Sequence, residues 1–316
     1  MEIMDNQSII GLVIRVTGGD VWVAIDDSVI RCLPRGRLRR GALAHLCAGD
    51  RVRVDLPARA GDLGAVGAIE PRTNYLARYV VRTHRVRMIV ANVDRLFVVT
   101  SLRAPAVRFP FIDRVLASCE AGGVPASVVV NKMDLVSTRQ VNALRTVYES
   151  CGYPVLTVSA RTGDNADILA AHLTGGVYAF VGASGVGKTS LVNRLDPALD
   201  LPTRDVARRT SRGRHTTAYS QLFPFSGGYL ADTPGMQVFG VPCATQEELV
   251  ACFPEFARVD HECRFYECTH AHEPDCGVRC AVENGMIARP RYDSYLKILD
   301  EIKSRRPAKG QTDWER

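Results

Sequence analysis

The rhythm of apolar and polar positions changes twice along the chain, and each change marks a different architecture. Over residues 1–72 the apolar runs are short or alternating, at 9–16, 21–25, 29–33, 51–56 and 64–69. Gly18-Gly19-Asp20 and Asp26-Asp27 separate the first three with turn chemistry. Five short strands in that length predict a small barrel of the OB type, although an SH3-like barrel would read much the same. From about residue 73, solid apolar runs at 95–102, 126–130, 154–158 and 177–181 alternate with helical patterns at 109–121, 138–151 and 165–173. That alternation predicts an α/β unit, a parallel sheet with helices on both faces. After about residue 241 a Cys/His-rich stretch gives way to a helix over 292–304. The expected organisation is a barrel at 1–72, an α/β domain at 73–241 and a mainly α metal-binding unit at 242–316.

Composition adds little until it is mapped. With 316 residues, 46% hydrophobic and 23% charged, the chain suits a soluble globular protein of two or three domains. No run approaches a membrane span, and residues 1–10 lack a signal pattern, so a cytoplasmic location with no membrane partner is expected; a monomer is the expected state. The net charge of +6 is concentrated: five arginines fall in each of 31–40, 71–93 and 204–214, with one acid among the three windows. Three such clusters favour a polyanion such as RNA over a scattered basic surface. Five of the ten cysteines and three of the seven histidines lie between Cys252 and Cys280, a density that indicates metal rather than disulfides.

The chemistry sits at strand ends. Gly182-Ala183-Ser184-Gly185-Val186-Gly187-Lys188-Thr189 fits the phosphate-binding pattern G-x-x-x-x-G-K-[ST], and Ser190 begins the helix expected after it. Its glycines let backbone N–H groups wrap the phosphates. Lys188 would reach the β- and γ-phosphates, and the Thr189 hydroxyl would bind magnesium. About forty residues on, Asp232-Thr233-Pro234-Gly235 offers a second magnesium group, Asp232, and a γ-phosphate donor, the Gly235 N–H. Asn131-Lys132-Met133-Asp134 matches N-K-x-D, whose aspartate accepts from guanine N1–H and N2–H₂, a pair adenine lacks. Ser159-Ala160 ends the next strand, where backbone N–H groups would meet guanine O6. The base-reading blocks thus precede the phosphate blocks. A ring of strands cut at a different loop leaves one intact pocket, because chain ends often lie close together.

By residue type, Cys263, Cys268, His270 and Cys276 make a closed tetrahedral set of three thiolates and an imidazole, with Cys252, His261, His272 and Cys280 as competitors.

These blocks, with Arg212-Gly213-Arg214-His215-Thr216-Thr217, resemble the RsgA (YjeQ)-type circularly permuted GTPases of small-ribosomal-subunit assembly, over nearly the whole chain. The resemblance implies an OB-fold, a permuted P-loop GTPase domain and one structural zinc on Cys263, Cys268, His270 and Cys276. It also implies a switch loop in which His215 acts on water and Thr216 or Thr217 joins the magnesium shell. The third threonine frequent there is Ala218 in this chain, and Met236 stands where a water-orienting glutamine often follows. The expected ligands and partners are GTP and GDP with magnesium, and the small subunit with its rRNA. Competing readings are a signalling GTPase, a non-catalytic RNA-binding protein and an ATPase. The arginine clusters, the complete set of Lys188, Thr189 and Asp232, and Asp134 argue against them in turn.

Overall fold

Strands β1 (Ser8–Thr17), β2 (Asp20–Ile25), β3 (Ser28–Pro34), β4 (Arg51–Asp55) and β5 (Gly64–Ile69) of the computed structural model close into a barrel in the order β1-β2-β3-β5-β4-β1. Residues 8–35, 46–56, 59, 62–81, 83–199, 221–232 and 239–305 are described. Only β3 and β5 run parallel within the ring. β1 closes it by serving two neighbours: Ser8 to Leu12 pair with β4, and Leu12 to Thr17 with β2. A register shift between Val13 and Arg15 supplies the bend. The β-branched residues that alternate along these strands point inward, and Val13, Val21, Val23, Val52, Val54 and Val66 are fully buried. Each contributes roughly 1.5–3 kcal/mol relative to an exposed position.

A hairpin that the apolar pattern did not predict follows, β6 (Tyr75–Val80) and β7 (Arg85–Ala91). Leu76, Ala77, Val90 and Ala91 are buried, but Arg78, Arg85 and Arg87 interrupt the apolar run and a register shift after Leu76 breaks its alternation. Next to it the barrel meets the central unit. Ala91 N–H donates to Ala48 at 2.9 Å, and the Asn92 amide to the Gly49 carbonyl at 2.9 Å. Arg72 grips the fully buried Asp50 with two bonds of 2.6 and 2.9 Å, so one arginine of the second cluster is structural.

The central sheet contains β8 (Arg95–Ser101), β9 (Ala126–Asn131), β10 (Val155–Thr157), β11 (Val177–Gly182), β12 (Gln221–Phe225) and β13 (Gly228–Asp232), in the order β10-β9-β8-β11-β13-β12. All neighbours are parallel except β12 and β13. β9 and β11 are buried on both faces, which is why they read as unbroken apolar runs. Leu96, Val98, Val128 and Val130 face one core, and Phe97, Val99, Val129 and Phe180 the other. Helix α1 (Phe109–Gly122) covers the first face. Helix α2 (Thr138–Glu149) starts with a capping box between Ser137 and Gln140. The helix expected over 165–173 is only α3 (Ala166–Ala170), and α4 (Lys188–Leu195) follows β11.

Helices α5 (Gln246–Ala251), α6 (Gly277–Glu283) and α7 (Arg289–Ser304) form the C-terminal unit. α7 begins three residues before the expected start because Pro290 sits in its first turn, where a missing N–H costs nothing. Tyr295, Ile298, Leu299 and Ile302 form its apolar stripe, packed with Leu249, Phe253 and Phe256 and with Ala117 of α1. Inside this contact Arg291 is fully buried and bonds Asp113 of α1 at 2.9 Å and Glu255 at 2.8 and 3.1 Å.

Candidate functional site

The parallel strands deliver their chemistry to one end, since the loops after β9, β10, β11 and β13 all leave carboxyl ends of the sheet, where open α/β sheets bind ligands. Asn131 closes β9 and is buried. Its amide donates to the Val186 carbonyl at 2.9 Å, and its Oδ1 accepts from Lys132 N–H at 2.8 Å and Ala160 N–H at 3.0 Å. One side chain therefore ties together the loops of all three blocks, Asn131 to Asp134, Ser159-Ala160 and Gly182 to Thr189.

The phosphate loop needs its glycines. At Gly182 a Cβ would lie 2.3 Å from the Val99 carbonyl, and Gly187 has a φ of +91° as it starts α4. Lys188 folds back along the loop, its Nζ donating to the carbonyls of Gly182 at 2.6 Å and Ala183 at 3.1 Å. Ser184, Gly185 and Ser190 are exposed, and Ala183 and Val186 are buried beneath the loop. Lys132, itself at a positive φ, spans from Ala104 to Gly185 with bonds of 2.5 and 2.8 Å to their carbonyls. Met133 N–H bonds the Val158 carbonyl at 3.2 Å, which sets the next residue, Asp134, beside Ser159.

The Ser159 hydroxyl donates to Asp134 Oδ1 at 2.6 Å, and Arg161 donates twice to Oδ2, at 3.0 and 2.7 Å. The Ser159 bond first, and Arg161 after it, hold the Asp134 carboxyl below the usual carboxylate range. The group that would read the base is thus fixed as an acceptor with its plane set. Arg194 of α4 reaches the carbonyls of Ala160 at 3.2 Å and Arg161 at 2.9 Å, so the helix after the phosphate loop also grips the base-side loop. Sequence reasoning missed both arginines. Arg161 carried a signal, its place directly after Ser159-Ala160, but Arg194 reads as an ordinary basic residue in a last helical turn.

β13 brings the Asp232 backbone to the same end of the sheet. His215, Thr216, Thr217, Gly235 and Met236 lie outside the described residues. Thr189 lies on the first turn of α4, partly exposed.

Within the Cys/His stretch the fold brings one set of candidate ligands together. The donor atoms of Cys263, Cys268, His270 and Cys276 lie within 4.8 Å of one another, the one such group among the described residues. A tetrahedral ion with metal–sulfur bonds of about 2.3 Å spans S–S edges of about 3.8 Å and S–N edges of about 3.6 Å. The Cys263 and Cys276 sulfurs are 3.9 Å apart, and His270 Nδ1 is 3.6 and 3.5 Å from them. Burial lowers the His270 imidazole and so favours the neutral form that ligates. Backbone N–H groups of Gly277 and His270 point at the Cys263 and Cys268 sulfurs, at 3.3 and 3.4 Å. Tyr292 and Tyr295 bond the carbonyls of His270 and Thr269 at 2.7 and 2.6 Å, anchoring the knuckle on α7. These residues fit a metal ion. Of the competitors, Cys252 lies 3.5 Å from Cys243, and Cys280 accepts from Asn284.

Known proteins resemble this chain over nearly its whole length. Residues 69–242 match the family model described as RsgA GTPase. A protein of Gemmatimonas aurantiaca named small ribosomal subunit biogenesis GTPase RsgA is 40% identical, over 93% of this chain and 98% of its own. One of that name from Bacteroides fragilis is 36% identical over 92% and 96%. The crystal structure of YjeQ from Thermotoga maritima superposes with a TM-score of 0.76 at 33% identity, covering 95% of this chain and all of that one. That of YloQ, described as a circularly permuted GTPase, gives 0.73 at 28% identity, over 97% and 99%.

Proposed function

From the premise that the chain belongs to the RsgA GTPase family, we propose that it binds the small ribosomal subunit through rRNA and hydrolyses GTP to GDP and phosphate under stimulation by that partner. It is a GTPase of small-subunit biogenesis. The observation that carries the reading is the Asn131 tie, which joins base-reading and phosphate-binding loops into one pocket although their order along the chain is inverted.

In this reading Asp134 accepts from the guanine N1–H and N2–H₂, with Ser159 and Arg161 holding its carboxylate. The loop that begins at Ser159-Ala160 meets O6 through backbone N–H groups. The loop from Gly182 to Ser190 cradles the phosphates, with Lys188 swinging from its own loop carbonyls onto the β- and γ-phosphates. Thr189, Asp232 and either Thr216 or Thr217 would hold magnesium, which would supply positive charge to the phosphates. Gly235 donates to the γ-phosphate, and His215 acts on the attacking water. The ion on Cys263, Cys268, His270 and Cys276 is zinc in a structural role, since four protein ligands leave no position for substrate. The barrel at 1–72 and the unit at 242–316 grip the particle around the GTPase domain at 73–241, in a cytoplasmic monomer. Among the described residues no helix is long and apolar enough to cross a membrane.

Nucleotide state passes to the C-terminal unit along residues 236–241. In support of that route, Tyr79 N–H bonds the Gly240 carbonyl at 2.8 Å, and Arg305 donates to the carbonyls of Cys243 and Val241 at 2.6 and 3.0 Å. Hydrogen exchange unchanged in that segment between GDP and a GTP analogue would remove this step.

The decisive measurement is GTP turnover with and without isolated small subunits across a salt series. Slow basal turnover, stimulated by the particle and losing that stimulation as salt rises, is expected. Turnover of tens per second by the protein alone, the order of assisted GTPases, would overturn partner stimulation. Asp134→Asn should abolish the preference for GTP over ATP while leaving the fold intact.

A further inference from the structure

A concavity of about 700 Å³ opens on the C-terminal unit, lined by residues between Gln246 and His270 and by none from the nucleotide loops. One wall is α5, where Glu247, Val250 and Ala251 share a helical face, and the other is the loop between Cys263 and Cys268. That loop holds Arg264, Phe265, Tyr266 and Glu267, all exposed, with Tyr266 as accessible as in an extended chain. Its two ends are candidate metal ligands, so the ion would hold the aromatic tip in place before any partner arrives.

The lining combines apolar Val250, Ala251 and Phe265 with the acidic side chains of Glu247, Asp260 and Glu267. No lysine or arginine among the described residues lines it, on a chain whose net charge is +6. Three thiolates around a divalent ion add negative charge at the back, where Cys263 and Cys268 also line the cavity. The Phe265 ring already receives a cation: the Arg264 guanidinium lies 5.7 Å from its centre while pairing with Asp275. Exposed aromatic rings could stack on RNA bases, but the accompanying phosphates would meet three carboxylates.

We propose that this groove docks an arginine- or lysine-bearing segment of a protein partner, its cations on the three carboxylates and its side-chain stems against Phe265 and Tyr266. The inference stands apart from the GTPase reading, and its test uses no nucleotide. The metal-loaded full chain is titrated with a fluorescein-labelled peptide of alternating arginine and glycine, and separately with a uridine oligonucleotide. Glu247→Gln/Asp260→Asn/Glu267→Gln should weaken peptide binding by roughly tenfold or more at low salt. Tyr266→Ala, at a fully exposed position, should weaken it without disturbing the fold. Asp62→Asn/Asp167→Asn/Asp300→Asn, which neutralises exposed acids elsewhere, should leave it unchanged. Equal loss in this control, wild-type affinity in the first triple variant, or displacement of the peptide by the oligonucleotide in a Tyr266-dependent manner would overturn the proposal.

Discussion

The barrel and the C-terminal unit attach to the same central unit by different chemistry. The barrel joint is mainly a set of hydrogen bonds in which backbone groups take part, at residues 48–49 and 91–92 and where Arg15 of β1 pairs with Gln221 of β12, with one partly exposed ion pair, Arg72 and Asp50. The C-terminal joint is apolar helix packing of α1 on α7 around a triad with no solvent contact at Arg291 or Asp113. Two carboxylates hold the Arg291 guanidinium well above its ordinary range although burial acts the other way, and the Phe253 ring lies 4.6 Å from it. Backbone bonds fix register, because a slip by one residue breaks the ladder. A buried triad contributes little net stability but penalises every packing that separates its charges. The difference teaches that the first joint resists sliding and the second resists reorientation. Residues 239–243, which lead away from β13, pass from one regime to the other: Phe239 packs in the central core, and Val241 and Cys243 in the C-terminal one.

Breaking the second joint should show the larger effects. Chelation should cost most, because the ion's binding free energy, on the order of 10 kcal/mol for structural zinc, is also folding energy. Hydrogen exchange should then rise across residues 243–304 and stay protected in the barrel; protection retained in both would sink a structural role for the metal. Arg291→Ala should destabilise by about 3–5 kcal/mol, since Asp113 and Glu255 would stay buried and unpaired. Replacing all three by apolar residues should restore most of that, and a chemical-denaturation series compares the two variants. At the first joint, Arg72→Ala should cost less, about 1–3 kcal/mol, because Asp50 keeps its bond from Cys47 N–H at 2.8 Å. A loss equal to that of Arg291→Ala would erase the distinction. Smallest of all, and at the second joint but outside its buried triad, Arg114→Ala, which removes the partly exposed pair with Glu301, should shift stability by no more than about 1 kcal/mol.

What the sequence made legible follows from how local the cause is. The barrel strands, β8, β9 and β11 and the phosphate loop announce themselves within a few residues, through period, turn chemistry and glycine spacing. The hairpin β6–β7 did not, because its arginines mask a ribbon that is buried only at one end. The metal set lay between: residue type and spacing left four competitors, the family resemblance chose among them, and the fold supplies the physical ground, placing Cys252 against Cys243 and away from Cys268. The Arg291 triad was invisible, since Asp113 and Arg291 are 178 positions apart and no local rule marks either as buried. Arg161 and Arg194 fall in the same class, as partners defined only once three loops converge.

The meeting of β1 with β12, at Arg15 and Gln221, has a consequence for solubility. A parallel sheet ends in two edges, and a bare edge invites pairing with another molecule. Here β12 is abutted by a barrel strand, and the opposite edge, β10, is only three residues long. The guard on β12 is also made first: the barrel leaves the translating ribosome well before the strand it shields, so the sticky edge emerges into the company of a folded neighbour.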